Sequence, residues 1–160
     1  MQVEILNETT TELDSELQAL IVKATDKVLE YEDFDIEGEV SVLFVNDERI
    51  KALNYEFRKK NVVTDVLSFP QYDSIKEDGV NEPFIYLGDV VISLEQAKRQ
   101  ADEFGHTIER EIVYLTVHSM LHLFGYDHLT EEDKIEMRTK EKAVLGALKI
   151  FKGTSIGEDQ

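Results

Sequence analysis

Residues 118–128 read His118-Ser119-Met120-Leu121-His122-Leu123-Phe124-Gly125-Tyr126-Asp127-His128 and hold three of the four histidines in this chain of 160 residues. His118 and His122 are four positions apart, so a helix places them on one face, about 6 Å apart along the axis. His128 would lie on another face if the helix continued, because six residues correspond to a rotation of about 240°. Gly125 can adopt the positive φ that ends a helix, after which the chain can fold back. The spacing therefore predicts that three imidazoles converge.

Three converging imidazoles predict a bound metal ion. The chain has no cysteine, so its metal ligands must come from His, Asp or Glu. The motif offers no fourth protein ligand, which is typical of catalytic rather than structural metal sites. The alternative is that the histidines lie in the core and form hydrogen bonds with backbone or carboxylate groups. Three histidines at this spacing, with a glycine that ends the helix, favour the metal.

The residues before the motif predict a buried central helix. Thr107 is a suitable N-cap, and Glu109 and Glu111 would lie in the first turn, where acidic side chains are favourable. Residues 112–124 are apolar on nearly all sides, which is typical of a helix in the centre of a domain. His106 precedes the cap, and we expect it to be an exposed loop residue.

The rest of the chain predicts four short strands and about five helices. The predicted strands cover residues 3–6, 39–45, 66–69 and 84–92, with an interruption at Gly88-Asp89. The predicted helices cover residues 12–30, 46–58, 94–104, 107–124 and 131–149. The polar stretch 71–83 is expected to be a mobile surface loop. We predict an α+β fold in which a small mixed sheet packs against the helices, with the histidine helix at the centre.

Length and composition predict one domain in the cytoplasm. We expect a single metal-dependent hydrolase domain over residues 1–152 and a disordered tail over residues 153–160. The N-terminal residues lack the basic and apolar regions of a signal peptide, and no apolar stretch is long enough to span a membrane.

The charge distribution bears on possible partners. The net charge of −17 argues against tight binding to duplex nucleic acid, which requires many phosphate contacts. Residues 1–39 carry a net charge of −10, whereas residues 49–60 carry +4. The basic segment is either a solvated face or a place for a few local phosphate contacts.

The motif spacing also matches the ligand skeleton of the metzincin metalloproteases. Those enzymes place a glutamate directly after the first histidine as the general base, and this chain has Ser119 there. Met137 lies in a helical pattern and does not form their methionine turn. Proteolysis is therefore disfavoured, and Ser119 is interpreted as a small residue that lets a neighbour pack close. Asp127 could orient a ligand imidazole or cap the turn.

Two long motifs resemble the YbeY-type endoribonucleases, also described as rRNA maturation factors. Residues 118–128 resemble one signature of that family, and Thr64-Asp65-Val66-Leu67-Ser68-Phe69-Pro70 resembles the second. Further similarities are Leu53-Asn54 with Phe57-Arg58, Leu87-Gly88-Asp89, Met137 and Glu141. The resemblance spans residues 53–141. This chain departs from the family at Ser119, where the family usually has glycine, which makes close approach of a substrate there less certain.

The resemblance implies a zinc-dependent endoribonuclease specific for single strands, with zinc bound by His118, His122 and His128. It implies action in ribosomal RNA processing, at the 3′ end of 16S rRNA, and in ribosome quality control. The expected partners are single-stranded RNA and the small ribosomal subunit or its assembly factors. The functional arginine of the family corresponds to Arg58, whose guanidinium is suited to holding a scissile phosphate. Alternatively, Arg58 complements the helix dipole at a surface helix end.

Two other functions are compatible with the same residues. One is a non-catalytic ribosome-assembly factor in which the metal only fixes the helix and turn. The other is a metallohydrolase that acts on a substrate other than RNA. The residues leave open whether water or the RNA 2′-hydroxyl is the nucleophile, and nickel or another divalent ion would also accept three imidazoles.

Overall fold

Four strands form one mixed sheet in the order β1-β2-β4-β3. The strands are β1 (Gln2–Asn7), β2 (Glu37–Val45), β3 (Val66–Pro70) and β4 (Phe84–Ser93). Strands β1 and β4 both run parallel to β2, whereas β3 runs antiparallel to β4 at the edge of the sheet. Pro70 ends this edge strand, where the missing backbone N–H costs little. The structure is a computed structural model that describes residues 1–149, so the predicted domain end at residue 152 and the predicted tail lie outside the described residues.

Six helices accompany the sheet within the described residues. They are α1 (Ser15–Tyr31), α2 (Asp47–Arg58), α3 (Ile75–Asp78), α4 (Leu94–Phe104), α5 (Ile108–Leu123) and α6 (Glu131–Ala147). Five of them correspond to predicted helices, and the predicted α+β class is confirmed. The predicted surface loop over residues 71–83 contains one short helix, α3, whose Ile75 is buried in the core, and the mobility of this loop stays a prediction. One apolar residue in a polar stretch is too short a pattern to predict a helix. None of the helices within residues 1–149 is long and apolar enough to cross a bilayer.

The alternation of side chains along β2 divides the core between two faces of the sheet. Val40, Val42 and Phe44 face the main core, which they share with α1, α5 and α6. Val45, on the other face, packs with apolar side chains of α2 and belongs to a second, smaller cluster. Parallel strands are normally covered on both faces, and here α2 covers the second face.

Helix α5 lies in the centre of the domain, as its composition predicts. It packs against α1, α4, α6 and the strands β3 and β4, and Thr107 caps its first turn by accepting a hydrogen bond from the Arg110 N–H at 3.2 Å. Ser119 is fully buried, and its Oγ lies 2.6 Å from the Oγ of Ser68 on β3. A neighbouring strand therefore does pack closely at Ser119, and this side chain faces β3 rather than solvent.

The predicted interruption of β4 is a β-bulge rather than a break. Tyr86 pairs with Glu39 and Gly88 pairs with Val40, so Leu87 is an extra residue in the ladder. Gly88 has a φ of 143°, and a Cβ at this position would lie 2.4 Å from the Phe69 carbonyl oxygen. The strand continues through the glycine, and β3 can approach it closely because glycine has no side chain.

Helix α5 ends in a Schellman turn at Gly125, which has a φ of 106°. The Gly125 N–H donates to the His122 carbonyl at 3.0 Å, and the Tyr126 N–H donates to the Leu121 carbonyl at 3.1 Å. Leu121 and Tyr126 are both buried in the main core, which supplies the hydrophobic contact typical of this motif. The predicted helix end at Gly125 is confirmed, and the chain turns back toward the face it has just left.

Gly125→Ala should destabilise the protein by about 2–4 kcal/mol, because it adds backbone strain and a steric clash. A Cβ at this position would lie 2.8 Å from Ser74 Oγ and 3.1 Å from Ser74 Cα. Gly105→Ala is the matched control, because Gly105 also has a positive φ of 71° but has no atom within 4 Å of an added Cβ. The control should cost about 1 kcal/mol. Urea unfolding of both variants measures the difference, and equal losses would show that contact with Ser74 is unimportant.

Candidate metal centre and adjoining cleft

Three histidine side chains converge where α5 meets the turn that follows it. His118 and His122 project from the last turns of α5, and His128 approaches from the turn after Gly125. The Nε2 atoms of His118 and His122 lie 3.1 Å apart, and one ligand nitrogen from each of the three residues lies within 4.8 Å of the others. The predicted convergence of the three imidazoles is confirmed.

Hydrogen bonds at the two Nδ1 atoms orient the first two imidazoles. His122 Nδ1 lies 2.8 Å from the Tyr126 carbonyl oxygen, which can only accept, so Nδ1 carries the hydrogen. His118 Nδ1 forms a hydrogen bond with the carboxylate of Glu141 on α6. With both Nδ1 atoms engaged in this way, the two Nε2 atoms lie 3.1 Å apart and are the atoms available to a ligand. Imidazole nitrogens this close together can coordinate one cation, so this donor set fits a divalent transition metal.

The electrostatic surroundings favour the metal-binding form of His122. Burial lowers the pKa of His122 below its ordinary value, and the nearby His118 lowers it further. The ring is therefore neutral at pH 7, which is the form that coordinates a metal. His128 is different, because 54% of its side chain is exposed. The site is thus supported from the core side by α5 and accessible to solvent on the side of His128.

Glu141 is a residue of the site whose role the sequence did not indicate. The resemblance placed it in the family pattern, but nothing in the local sequence of α6 points to a contact with His118. Glu141 is buried, and the hydrogen bond to His118 satisfies part of its carboxylate. A buried carboxylate that fixes the tautomer of a metal-ligating histidine is a common arrangement in metal sites.

Two further predictions concern Asp127 and His106. Asp127 Oδ1 accepts the His128 backbone N–H at 2.8 Å and lies 4.0 Å from His128 Nδ1, so it contacts the residue whose ring it was predicted to orient and bonds to its backbone. The expectation that His106 is exposed is wrong, because only 10% of its side chain is exposed and its Nε2 lies 2.6 Å from Glu111 Oε1. Glu111 is buried on α5 and requires a polar partner, which the periodicity of the sequence does not reveal.

The three histidines open into a cleft of about 500 Å³ that the two signature motifs share. Its wall includes Arg58, several residues of the segment 64–70, and Asp73 and Asp127. The Nη2 of Arg58 donates to the Ser68 carbonyl oxygen, and the guanidinium lies 5.2 Å from the centre of the Phe69 ring. The structure therefore brings Arg58 to the same cleft as the histidine cluster.

Comparison with known proteins identifies the family. A family model described as "Endoribonuclease YbeY" matches residues 4–149. The chain belongs to the YbeY endoribonuclease family. The match extends well beyond the residues 53–141 on which the resemblance rests, and it confirms that resemblance.

Individual YbeY relatives agree with this assignment. The protein named Endoribonuclease YbeY from Caldanaerobacter subterraneus is 51% identical over 154 residues, which cover 92% of this chain and 98% of the relative. The protein of the same name from Pelotomaculum thermopropionicum is 47% identical and covers 86% of this chain and 90% of its own. A solution structure from Thermotoga maritima is 28% identical, with a TM-score of 0.58 over 91% of each chain. The YbeY fold thus extends over most of the chain.

Glu141→Gln should weaken zinc binding about 10-fold and Glu141→Ala up to about 100-fold, because the partner of His118 Nδ1 is weakened or lost. Glu136→Gln on the same helix is the matched control, since Glu136 forms only an exposed ion pair with Lys76 at 3.3 Å. Competition with a zinc chelator measures the affinities. Equal zinc affinities for the Glu141 and Glu136 variants would contradict an orienting role for Glu141.

Proposed function

We propose that this protein is a zinc-dependent endoribonuclease that cleaves single-stranded RNA, with zinc bound by His118, His122 and His128. Arg58 would bind the scissile phosphate. The observation that carries the proposal is that Arg58 and the three histidines line one cleft. Membership in the YbeY family supports the reaction class, since its relatives are named endoribonucleases.

The histidine cluster fits a zinc ion, and the chemistry of such an ion suits phosphoester cleavage. Three neutral imidazole nitrogens form a ligand set that leaves a coordination position open. A bound zinc ion supplies Lewis-acid activation at the phosphoryl group. The protein holds the first two ligands in the required tautomer through Glu141 and the Tyr126 carbonyl. Their Nε2 atoms therefore need no rearrangement to coordinate.

Arg58 is suited to bind the phosphate. It forms no ion pair with a carboxylate within residues 1–149, and its one hydrogen bond there is to the Ser68 carbonyl. Its positive charge and its remaining N–H donors are therefore available to an anion. Stacking on Phe69 holds the guanidinium in one orientation. A fixed cation near the scissile phosphate stabilises the charge that develops during displacement.

The charge of the cleft makes RNA binding dependent on the metal. Asp65, Asp73 and Asp127 line the cleft together with Arg58, which is the one arginine or lysine among the lining residues within residues 1–149. Without a bound dication the wall carries more negative than positive charge and would repel phosphate. A divalent ion offsets this excess. Zinc would thus contribute to substrate affinity as well as to the chemical step.

A single strand fits this surface better than a duplex. The net charge of −17 opposes the many phosphate contacts that duplex binding requires. A single strand can reach a local cleft with few basic residues and splay its bases outward. The family resemblance further supports a role in maturation of the 3′ end of 16S rRNA and in ribosome quality control in the cytoplasm. The small ribosomal subunit or its assembly factors would be the partners.

Removing a metal ligand tests the metal centre. Purified His118→Ala should lose stoichiometric zinc by elemental analysis, and its cleavage of single-stranded RNA should fall to background because the ligand set is broken. The parent protein should lose activity with a chelator and regain it with zinc. Full metal content in His118→Ala would contradict the ligand assignment. A zinc-loaded parent that co-sediments with small subunits but does not cleave RNA would instead be a non-catalytic assembly factor.

Arg58→Ala should lower the single-turnover cleavage rate of single-stranded RNA by about 10²–10³-fold, because charge stabilisation of the phosphate is lost. Arg49→Ala is the matched control, since Arg49 lies on the same helix and pairs with Glu8 at 3.6 Å. It should cleave at the parent rate. Zinc content should be unchanged in both variants. An Arg58→Ala protein as active on RNA as the parent would rule out the phosphate role and favour a metallohydrolase with another substrate.

A further inference from the structure

An aromatic pair, formed by the exposed Phe57 and the half-buried Phe69, lies at the C-terminal end of α2. Phe57 is 57% exposed, and its ring packs edge-to-face against Phe69 with the ring centres 5.2 Å apart. The Arg58 guanidinium lies 5.2 Å from the centre of the same Phe69 ring. Single exposed apolar residues are ordinary on protein surfaces. Here, however, two rings and a cation form one contiguous group.

This aromatic pair is continuous with the metal centre through Arg58. Arg58 lines the cleft that holds His118, His122 and His128, and it contacts Phe69 on the other side. Phe69 lies on the edge strand β3 and packs with the second, smaller cluster on the α2 face of the sheet, whereas its neighbours Ser68 and Pro70 line the cleft. A polymer whose phosphate contacts Arg58 at this edge of the sheet would therefore reach the exposed Phe57 ring by passing around β3.

The charges around the aromatic pair suit a nucleic acid. Lys59 and Lys60 follow Arg58 directly, both are exposed, and neither forms an ion pair with a carboxylate within residues 1–149. Residues 49–60 carry a net charge of +4 in a chain whose total is −17. Aromatic rings beside cations form the usual surface on which unpaired bases stack while phosphates are neutralised. An apolar protein partner would not require this local positive charge.

We propose that Phe57 is a stacking subsite for the base of the nucleotide next to the phosphate held by Arg58. This inference rests on the proposed function, since it takes single-stranded RNA as the substrate. Phe69 acts as a positioning residue: its edge-to-face contact supports the Phe57 ring, and its face holds the guanidinium. The subsite explains how a protein with few cations gains affinity, because stacking does not depend on charge.

A fluorescent reporter tests the stacking directly. The chain contains no tryptophan, so Phe57→Trp introduces a single indole at the subsite. Titration of the zinc-loaded variant with a 2′-O-methyl single-stranded oligoribonucleotide, which lacks the 2′-hydroxyl, should quench the fluorescence saturably. An abasic oligonucleotide of equal length should not quench it. The matched control is Phe84→Trp, which is exposed at the start of β4 and is not among the residues that line the cleft, and it should respond to neither.

Removal of the aromatic ring of Phe57 tests how much base stacking contributes to the affinity for RNA. Phe57→Leu keeps an apolar side chain but removes the aromatic face, so oligoribonucleotide binding should weaken about 5- to 150-fold. Affinity for the abasic oligonucleotide, zinc content and the urea unfolding midpoint should stay at the parent values. If Phe57→Leu lowers the affinity for both oligonucleotides equally, the stacking proposal is overturned, because a general structural effect would then explain the weaker binding.

Different experimental results would overturn the stacking subsite and the proposed nuclease function. Normal cleavage of RNA by Phe57→Leu, together with no quenching in Phe57→Trp, would overturn the stacking subsite and leave the nuclease intact. The aromatic pair would then be assigned to a protein partner. Quenching by the oligoribonucleotide in a zinc-loaded protein that never cleaves RNA would instead support the subsite and overturn the nuclease.

Discussion

The turn at Gly125 is the constraint on which the metal centre depends. The hydrogen bond from the Tyr126 N–H to the Leu121 carbonyl ends α5 and reverses the chain. The carbonyl of the same Tyr126 then accepts from His122 Nδ1 and fixes the tautomer of that ring. A residue with a Cβ could not take the φ of 106° without strain or clear the Ser74 side chain. One backbone turn therefore ends the helix, orients one ligand and brings His128 to the other two.

The central position of α5 makes the site rigid. It also makes polar side chains on this helix energetically costly to bury unless each of them has a bonding partner. The helix is enclosed by apolar side chains, so polar groups on it require hydrogen bonds or a metal. Three polar side chains on the helix have specific partners on other elements: Ser119 bonds to Ser68, Glu111 to His106 and His118 to Glu141. These bonds tie β3, α6 and the loop before α5 to one helix. A site supported in this way retains its geometry while substrate approaches from the solvent side.

An acidic protein that acts on an acidic polymer must concentrate its affinity in a small region. Residues 1–39 carry a net charge of −10 out of a total of −17, whereas the end of α2 is basic and borders the cleft. Arg58 connects the phosphate chemistry on one side with the aromatic pair on the other. In the proposed arrangement, binding depends on a few local cations, one metal ion and base stacking rather than on a broad basic surface. Such a design disfavours duplexes, which offer phosphates but no accessible base faces.

Local patterns in the sequence predicted the secondary structure and the cluster of candidate ligands. Helix and strand periods, the cap at Thr107 and the glycine at position 125 are local signals, so the elements and the convergence of three histidines could be predicted. Tertiary packing brings together residues that lie far apart in the sequence: Glu141 lies beside His118, Ser68 beside Ser119, and the largely buried His106 beside Glu111. It also decided that Ile75 enters the core from a polar segment. These contacts join residues that share no local period, and the way the sheet and α5 pack brings them together.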